Sequence, residues 1–208
     1  VEDAGRLREI GAELGRLGQY QVLAFTSPYG VERFFALLAE FGWDIRAAAH
    51  MRFAAIGQGT ADELGKRGIR ADYVPEHYDG VSLGKLLAES LEDGTRVLLA
   101  RSSRGGRGIL RELEKNPGIG YRDLAVYDTE FSEERGEMLC SFMGNGSVTG
   151  VIFTSSSAVE GFCRLLGEYS YETVQAVCMG GKTEEAAKAA GMRTVTARNA
   201  SIEELVLQ

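Results

Sequence analysis

The chain contains the same segments twice in the same order, and this internal repeat limits the folds open to it. Residues 23–38, LAFTSPYGVERFFALL, match residues 151–166, VIFTSSSAVEGFCRLL, at eight positions. A second pair follows, AAIGQGTADELGKRGI from Ala54 and AVCMGGKTEEAAKAAGM from Ala176, and SLGKLL and SIEELV form a third. Three matched blocks in one order predict two related α/β modules. Because small ligands often bind between domains, we expect the active site in the cleft between the modules.

Short apolar segments alternate with amphipathic segments along the whole chain. Continuous apolar strands between amphipathic helices are typical of parallel sheets covered on both faces. The expected strands are 21–26, 53–56, 71–74, 97–100, 124–127, 151–153, 176–178 and 194–196. The expected helices are 30–41, 61–67, 81–91, 108–114, 133–142, 158–166, 184–190 and 202–206. We therefore predict an α/β fold of two flavodoxin-like lobes related by internal duplication, with ligands at the carboxyl ends of the strands.

The expected domain boundaries follow from the repeat. Residues 1–125 form the first lobe, 126–130 an inter-domain ladder segment and 131–208 the second lobe. The joint between the lobes is expected near residues 124–130, and the second copy of the repeat begins at residue 151. A cleft-binding protein joined in this way is expected to move about its hinge.

Composition excludes several classes of function. The net charge of −7 argues against a nucleic-acid partner, which would need a basic face. The three cysteines form no CxxC motif and the histidines number only two, so we expect neither disulfides nor a metal site. The sequence has no apolar run long enough for a membrane span and no signal-like start. We expect a cytoplasmic protein, a monomer, that has no membrane partner.

Small hydroxyl residues follow the first strand of each matched block. Thr26 and Ser27 come after the strand at 21–26, and Ser155, Ser156 and Ser157 come after the strand at 151–153. Free N–H groups and the helix dipole make such a turn receptive to a carboxylate or phosphate. Plain capping of the next helix explains the same residues. Both interpretations stay open, and the recurrence at equivalent places favours a ligand.

Glycine turns follow the second strand of each block. Gly57 and Thr60 lie in GQGT, and Gly180, Lys182 and Thr183 lie in GGKT. Glycine lets a ligand approach the backbone, and threonine can cap the helix or bind the ligand. The GKT tripeptide does not make a nucleotide-binding P-loop, because no room remains between it and the strand for a phosphate-wrapping loop.

A basic, glycine-rich segment, RSSRGGR, follows the strand at 97–100. We expect Arg101, Ser103 and Arg107 to bind substrate there, because guanidinium groups bind carboxylates bidentately. A solvated loop is the alternative explanation.

Tyr127 ends the last strand of the first module. It is either a half-buried hinge residue or a phenolic proton donor that assists a poor oxygen leaving group.

The order of these segments resembles the uroporphyrinogen-III synthase family. The resemblance rests on FTSPYGVERF, AAIGQGTADEL, LLARSSRGGRGILREL, LAVYDT, FTSSSAVEGF, MGGKTEEAAKAAG and SIEELV, in that order from about residue 21 onward. It implies two α/β domains joined by a two-stranded ladder, and a lyase that uses no metal or organic cofactor. The implied reaction takes the linear tetrapyrrole hydroxymethylbilane, removes water, inverts the last pyrrole ring and closes the macrocycle.

The resemblance also implies roles for individual residues. The catalytic tyrosine of the family corresponds to Tyr127, and the family's threonines in the two glycine turns correspond to Thr60 and Thr183. Its serine falls within 155–157, and the basic residue before the helix falls on Arg107.

One departure from the family pattern concerns the start of the chain, which lacks the family's opening strand, helix and strand. The second lobe is therefore expected to have a shortened sheet. The competing hypothesis from the residues alone is a non-catalytic, two-lobed binding protein for an anionic metabolite.

Overall fold

The computed structural model describes residues 4–134, 136–146 and 148–197. The chain divides into two compact units, Val1–Thr129 and Glu130–Gln208. Both are built from parallel strands and helices, so the predicted α/β class with parallel sheets is confirmed. Within the described ranges, no helix is long and apolar enough to cross a membrane.

The first unit has a four-stranded sheet with strands in the order β2-β1-β3-β4. Its strands are β1 (Val22–Phe25), β2 (Arg52–Ala55), β3 (Arg96–Ser102) and β4 (Gly120–Tyr127). Its helices are α1 (Ala4–Leu14), α2 (Pro28–Glu40), α3 (Gln58–Gly65), α4 (Gly80–Ser90) and α5 (Gly108–Leu113). Short 3-10 turns lie at Leu17–Gln19 and Ile45–Ala48. All neighbouring strands run parallel, so their carboxyl ends meet at one edge of the sheet.

The sheet of the first unit is covered on both faces, which explains its continuous apolar strands. Every residue of β1 is buried. Leu23 and Phe25 pack in one cluster with residues of α1 and α2, among them Phe34. Val22 and Ala24 point to the other face and pack with residues of α4 and α5. Alternate residues of β1 therefore pack into two separate hydrophobic clusters, one on each face of the sheet.

In the described part of the second unit, three parallel strands form a sheet in the order β5-β6-β7. Its strands are β5 (Gly150–Phe153), β6 (Gln175–Cys178) and β7 (Arg193–Thr196). Its helices are α6 (Gly136–Gly144), α7 (Ser156–Leu166) and α8 (Gly181–Ala189). The core centres on Phe153, Phe162 and Ala176, with Phe153 and Phe162 meeting edge to face at 5.2 Å.

One expected strand is wrong and one expected helix lies outside the described residues. The segment 71–74 makes only a single bridge, between Ala54 and Tyr73. The Asp72 carboxylate accepts the Phe53 N–H at 2.7 Å, so a side chain occupies a donor that a regular ladder would use. Pro75, which has no N–H, then prevents further pairing. The helix expected at 202–206 falls in the part of the chain that the structure does not describe.

Candidate functional site

The first unit gathers its predicted site residues at the carboxyl edge of its sheet. Thr26 and Ser27 follow β1, Gly57 and Thr60 follow β2, Ser103 follows β3, and β4 ends at Tyr127. These four strands are hydrogen-bonded neighbours in parallel register. The edge therefore brings together residues that lie up to about a hundred positions apart in the sequence.

Tyr127 is half-buried and its hydroxyl is held by a serine. The Tyr127 Oη atom lies 2.8 Å from Ser27 Oγ, a hydrogen bond in which either hydroxyl can donate. The ring of Tyr29 meets the ring of Tyr127 nearly perpendicularly, with centroids 4.9 Å apart. Tyr29 is 52% exposed, so it forms an open aromatic surface beside the Tyr127 ring. Sequence reasoning had not selected Tyr29, although its place directly after the TSP turn was a usable signal.

Ser27 is the N-cap of α2. It adopts an extended conformation, and its Oγ atom accepts the Gly30 N–H at 2.9 Å, while Pro28 starts the helix. A Cβ atom on Gly30 would lie 3.3 Å from the Ala100 carbonyl oxygen and 3.7 Å from the Tyr127 ring. Glycine at this position therefore lets the helix start close to β3 and Tyr127.

The ends of β3 and β4 are tied together around Tyr127. The Ser103 N–H donates to the Tyr127 carbonyl oxygen at 3.0 Å, and the Ser102 and Thr129 hydroxyls lie 2.9 Å apart. Asp128 is paired with Arg6 of α1. Hydrogen bonds from Arg6 and then from Ser103 hold the pKa of the Asp128 carboxyl below its usual range. These contacts fix the backbone on both sides of Tyr127.

The glycine turn after β2 is covered by an aromatic ring. A Cβ atom on Gly57 would lie 2.6 Å from Cγ of Tyr78, so only glycine allows this ring to pack on the turn. Thr60 is 2% exposed and its N–H donates to the Gly57 carbonyl at 3.1 Å. Because the Thr60 side chain is buried, a ligand at this turn would meet the exposed Gln58 and Gly59 first. Sequence reasoning missed Tyr78, because nothing in its local pattern links it to Gly57.

Arg101 is not available to a ligand, which corrects the prediction made from the basic segment. It is 3% exposed, and its Nε and Nη2 atoms donate to the two Asp123 carboxylate oxygens at 2.7 and 2.6 Å. Its Nη1 atom donates to the Gly106 carbonyl oxygen at 2.7 Å. A Cβ atom on Gly105 would lie 2.6 Å from this guanidinium group. The glycines thus let the loop close around Arg101, which organises the loop from inside.

Arg107 differs from Arg101 in its exposure. Its side chain is 66% exposed, and it forms an ion pair with Glu114 at 3.2 Å. An exposed pair of this kind is weak and exchanges readily for another carboxylate. Unlike Arg101, Arg107 therefore offers its guanidinium group to a carboxylate ligand.

The second unit gathers the other predicted residues at the carboxyl ends of β5 and β6. Ser155 caps α7 by accepting the Ala158 N–H at 3.2 Å, and its hydroxyl lies 3.0 Å from that of Ser157. Ser156 and Ser157 are half-buried, and Gly180 is the N-cap of α8. In the first turn of α8, Lys182 is exposed and Thr183 is 5% exposed.

Corresponding turns in the two units have the same local structure. Ser27 and Ser155 each cap a helix through the N–H three residues on, with donor–acceptor distances of 2.9 and 3.2 Å. The N–H groups of Thr60 and Thr183 donate to the carbonyl of the cap glycine at 3.1 and 3.0 Å. The matched sequence blocks therefore fold into matched turns.

Fold and site together define an α/β protein with parallel sheets and with hydroxyl, glycine and tyrosine residues at the strand ends. The chain belongs to the uroporphyrinogen-III synthase family, since the family described as uroporphyrinogen-III synthase HemD matches residues 2–207. A porphyrin biosynthesis protein HemD from Ruminiclostridium josui is 30% identical over 188 residues, which cover 90% of this chain and 37% of that protein. A uroporphyrinogen-III synthase from Synechococcus elongatus is 25% identical over 183 residues, covering 78% of this chain and 69% of the relative.

Solved structures show the same fold. A mutant uroporphyrinogen III synthase from Thermus thermophilus matches with a TM-score of 0.63 at 19% identity, covering 97% of this chain and 81% of that one. The uroporphyrinogen-III synthetase from Helicobacter pylori matches with a TM-score of 0.63 at 18% identity, covering 91% and 82%. The chain spans about a third of the length of its Ruminiclostridium josui relative, 37%.

Proposed function

We propose that this chain catalyses the reaction of its family, the cyclisation and dehydration of hydroxymethylbilane to uroporphyrinogen III with inversion of ring D. The enzyme is then a hydro-lyase that needs no metal or organic cofactor. The observation that carries the proposal is the Tyr127 hydroxyl, held by Ser27 at the strand-end edge of a chain of this family. The family match does not favour the alternative of a non-catalytic binding protein for an anionic metabolite.

Tyr127 is the proposed general acid. Hydroxide is a poor leaving group, and proton transfer to the departing hydroxyl lowers the barrier to its loss. A phenol is neutral until it donates this proton. Before the reaction it therefore neither repels nor attracts the carboxylates of the substrate. The exposed Tyr29 ring next to Tyr127 offers a flat apolar surface for a pyrrole ring.

The carboxylates of the tetrapyrrole are proposed to bind to exposed cations and helix starts. Arg107 and Lys182 are exposed, and the helices α2, α3, α7 and α8 begin at the strand ends. Backbone N–H groups and the helix dipole attract carboxylates at these starts, and arginine can bind them bidentately. Such contacts hold the substrate without further specialised side chains.

The active site is proposed to lie in a cleft between two lobes related by internal duplication. Support comes from the matched turns of the two units and from the location of each set of site residues at the carboxyl edge of its own sheet. A cleft would keep the reactive intermediate away from water, which limits its diversion to side products. The substrate is the only partner proposed. The protein is proposed to be a cytoplasmic monomer without a nucleic-acid or membrane partner.

The isomer formed reports the activity directly. Hydroxymethylbilane, generated enzymatically in the assay, closes without a catalyst to the type I isomer. We expect the protein to give the type III isomer, separated from type I by chromatography, and heat-denatured protein to give type I alone. Type I alone from the native protein would refute the proposed function, and binding of the bilane without turnover would favour the binding-protein alternative.

A further inference from the structure

Ser27 makes two hydrogen bonds that meet at one oxygen atom. Its Oγ accepts the Gly30 N–H at 2.9 Å and lies 2.8 Å from the Tyr127 hydroxyl. A serine hydroxyl has one proton to donate and two lone pairs. With one lone pair occupied by Gly30, Ser27 can still either accept the proton of Tyr127 or donate its own to the Tyr127 oxygen.

We infer that Ser27 is a positioning residue for the proposed reaction, which orients the Tyr127 hydroxyl and donates a hydrogen bond to the Tyr127 oxygen after that oxygen has lost its proton. This inference rests on the proposed function. It assigns Ser27 to Tyr127 rather than to a carboxylate of the substrate, which is the role that the sequence suggested.

The proton balance shows why such a donor matters. The O–H bond of Tyr127 breaks as its proton moves to the departing hydroxyl of the tetrapyrrole. The C–O bond of that hydroxyl breaks, the oxygen keeps the electron pair, and water leaves. Tyr127 is then a phenolate and the tetrapyrrole a cation. Closure of the macrocycle with inversion of ring D forms two carbon–carbon bonds to ring D and breaks the original one. It also releases one proton from the tetrapyrrole, which restores Tyr127. In the interval, the negative charge on Tyr127 needs a donor, and Ser27 is within hydrogen-bonding distance.

The location of Ser27 strengthens the hydrogen bond it can offer. Ser27 caps α2, a helix of 13 residues, and the start of a helix favours negative charge. The Gly30 N–H polarises the Ser27 hydroxyl, and hydrogen bonds in series reinforce one another. Ser27 Oγ can lie this close to the backbone of residue 30 because that residue is glycine. A Cβ atom there would lie 3.1 Å from Ser27 Oγ.

Three variants separate positioning from capping. Ser27→Ala removes both the cap and the donor, Ser27→Asp keeps a cap acceptor without a proton at neutral pH, and Ser27→Thr keeps both. We expect Ser27→Ala and Ser27→Asp to lower kcat by about 10- to 100-fold, the value of one hydrogen bond to a charged group. KM should stay within about 3-fold for Ser27→Ala. It should rise for Ser27→Asp, because the new carboxylate lies at a helix start proposed to bind a carboxylate of the substrate. Ser27→Thr should retain kcat within about 3-fold. Thermal unfolding should show a lower Tm for Ser27→Ala alone.

A double variant tests whether Ser27 acts through Tyr127. In a Tyr127→Phe background, Ser27→Ala should cause no further loss of kcat, because the group it serves is gone. The inference is overturned if Ser27→Asp turns over at the unmodified rate, which would make Ser27 a cap only. It is also overturned if the two losses multiply. If the unmodified protein yields only the type I isomer, the proposed function is refuted, and the inference about Ser27 is refuted with it. The unmodified protein therefore distinguishes failure of the proposed function from failure of the inference about Ser27 alone.

Discussion

Replacing Tyr20 by phenylalanine tests a buried pair that joins α1 to the rest of the first unit. Tyr20 is 2% exposed, and its hydroxyl donates to the Glu13 carboxylate at 2.5 Å. Glu13, at the end of α1, is 8% exposed and also faces the Arg122 guanidinium at 3.5 Å. Burial, and then the hydrogen bond to Glu13, raise the pKa of Tyr20 from 10.0 to about 12.

The stability that this pair contributes depends on pH in a definite direction. The folded pKa lies above the unfolded one, so the contribution is fully present below pH 10 and is lost as pH rises toward 12. Two pKa units correspond to at most about 2.7 kcal/mol, and one hydrogen bond to a charged group contributes about 1.5–3 kcal/mol. We therefore expect Tyr20→Phe to lower the free energy of unfolding by about 2 kcal/mol at pH 8. The difference from the unmodified protein should vanish near pH 12.

Urea unfolding at a series of pH values measures this difference. The single tryptophan, Trp43, lies in the first unit and reports on its unfolding by fluorescence. Tyr121→Phe is a matched control, because the Tyr121 hydroxyl donates to Glu114 at 2.8 Å in an exposed pair, which is worth less than about 1 kcal/mol. If the loss in Tyr20→Phe is the same at pH 8 and pH 11, or no larger than in Tyr121→Phe, the reasoning is wrong.

Three further predictions concern the site. Tyr127→Phe should keep the fold and most of the affinity for hydroxymethylbilane, but lower kcat by about 10- to 1000-fold, since one general acid is lost and water partly replaces it; type III formation at the unmodified rate would make Tyr127 a hinge residue. Arg107→Ala should raise KM more than it lowers kcat, and added salt should weaken binding of the unmodified protein, because the exposed side chain makes a peripheral contact; an unchanged KM would contradict this. Arg101→Ala should lower the free energy of unfolding by about 2 kcal/mol, because it breaks a buried ion pair whose partner Asp123 stays partly hydrated. Arg107→Ala should change the free energy of unfolding by less than about 0.5 kcal/mol, and equal Tm values for the two variants would refute this distinction.

The linear sequence was sufficient for features that depend on near neighbours. Apolar segments such as 97–100 predicted buried strands, and strand β3 contains that segment with Val97–Ala100 fully buried. The hydroxyl residues after two matched strands predicted helix caps, and Ser27 and Ser155 are caps. A cap bonds to the N–H three residues on, and strand burial follows from local composition. Both kinds of information are therefore contained in short stretches of sequence.

Tertiary structure decided the features that depend on distant partners. Arg101 and Arg107 look alike in RSSRGGR, yet only Arg101 meets Asp123, because β3 and β4 lie side by side. The contact between Ser27 and Tyr127 spans 100 residues and exists because β1 and β4 end at the same edge of one sheet. Side-chain chemistry can be read from sequence, but the partner that a side chain meets is set by strand order and register, and these follow from packing the whole unit at once.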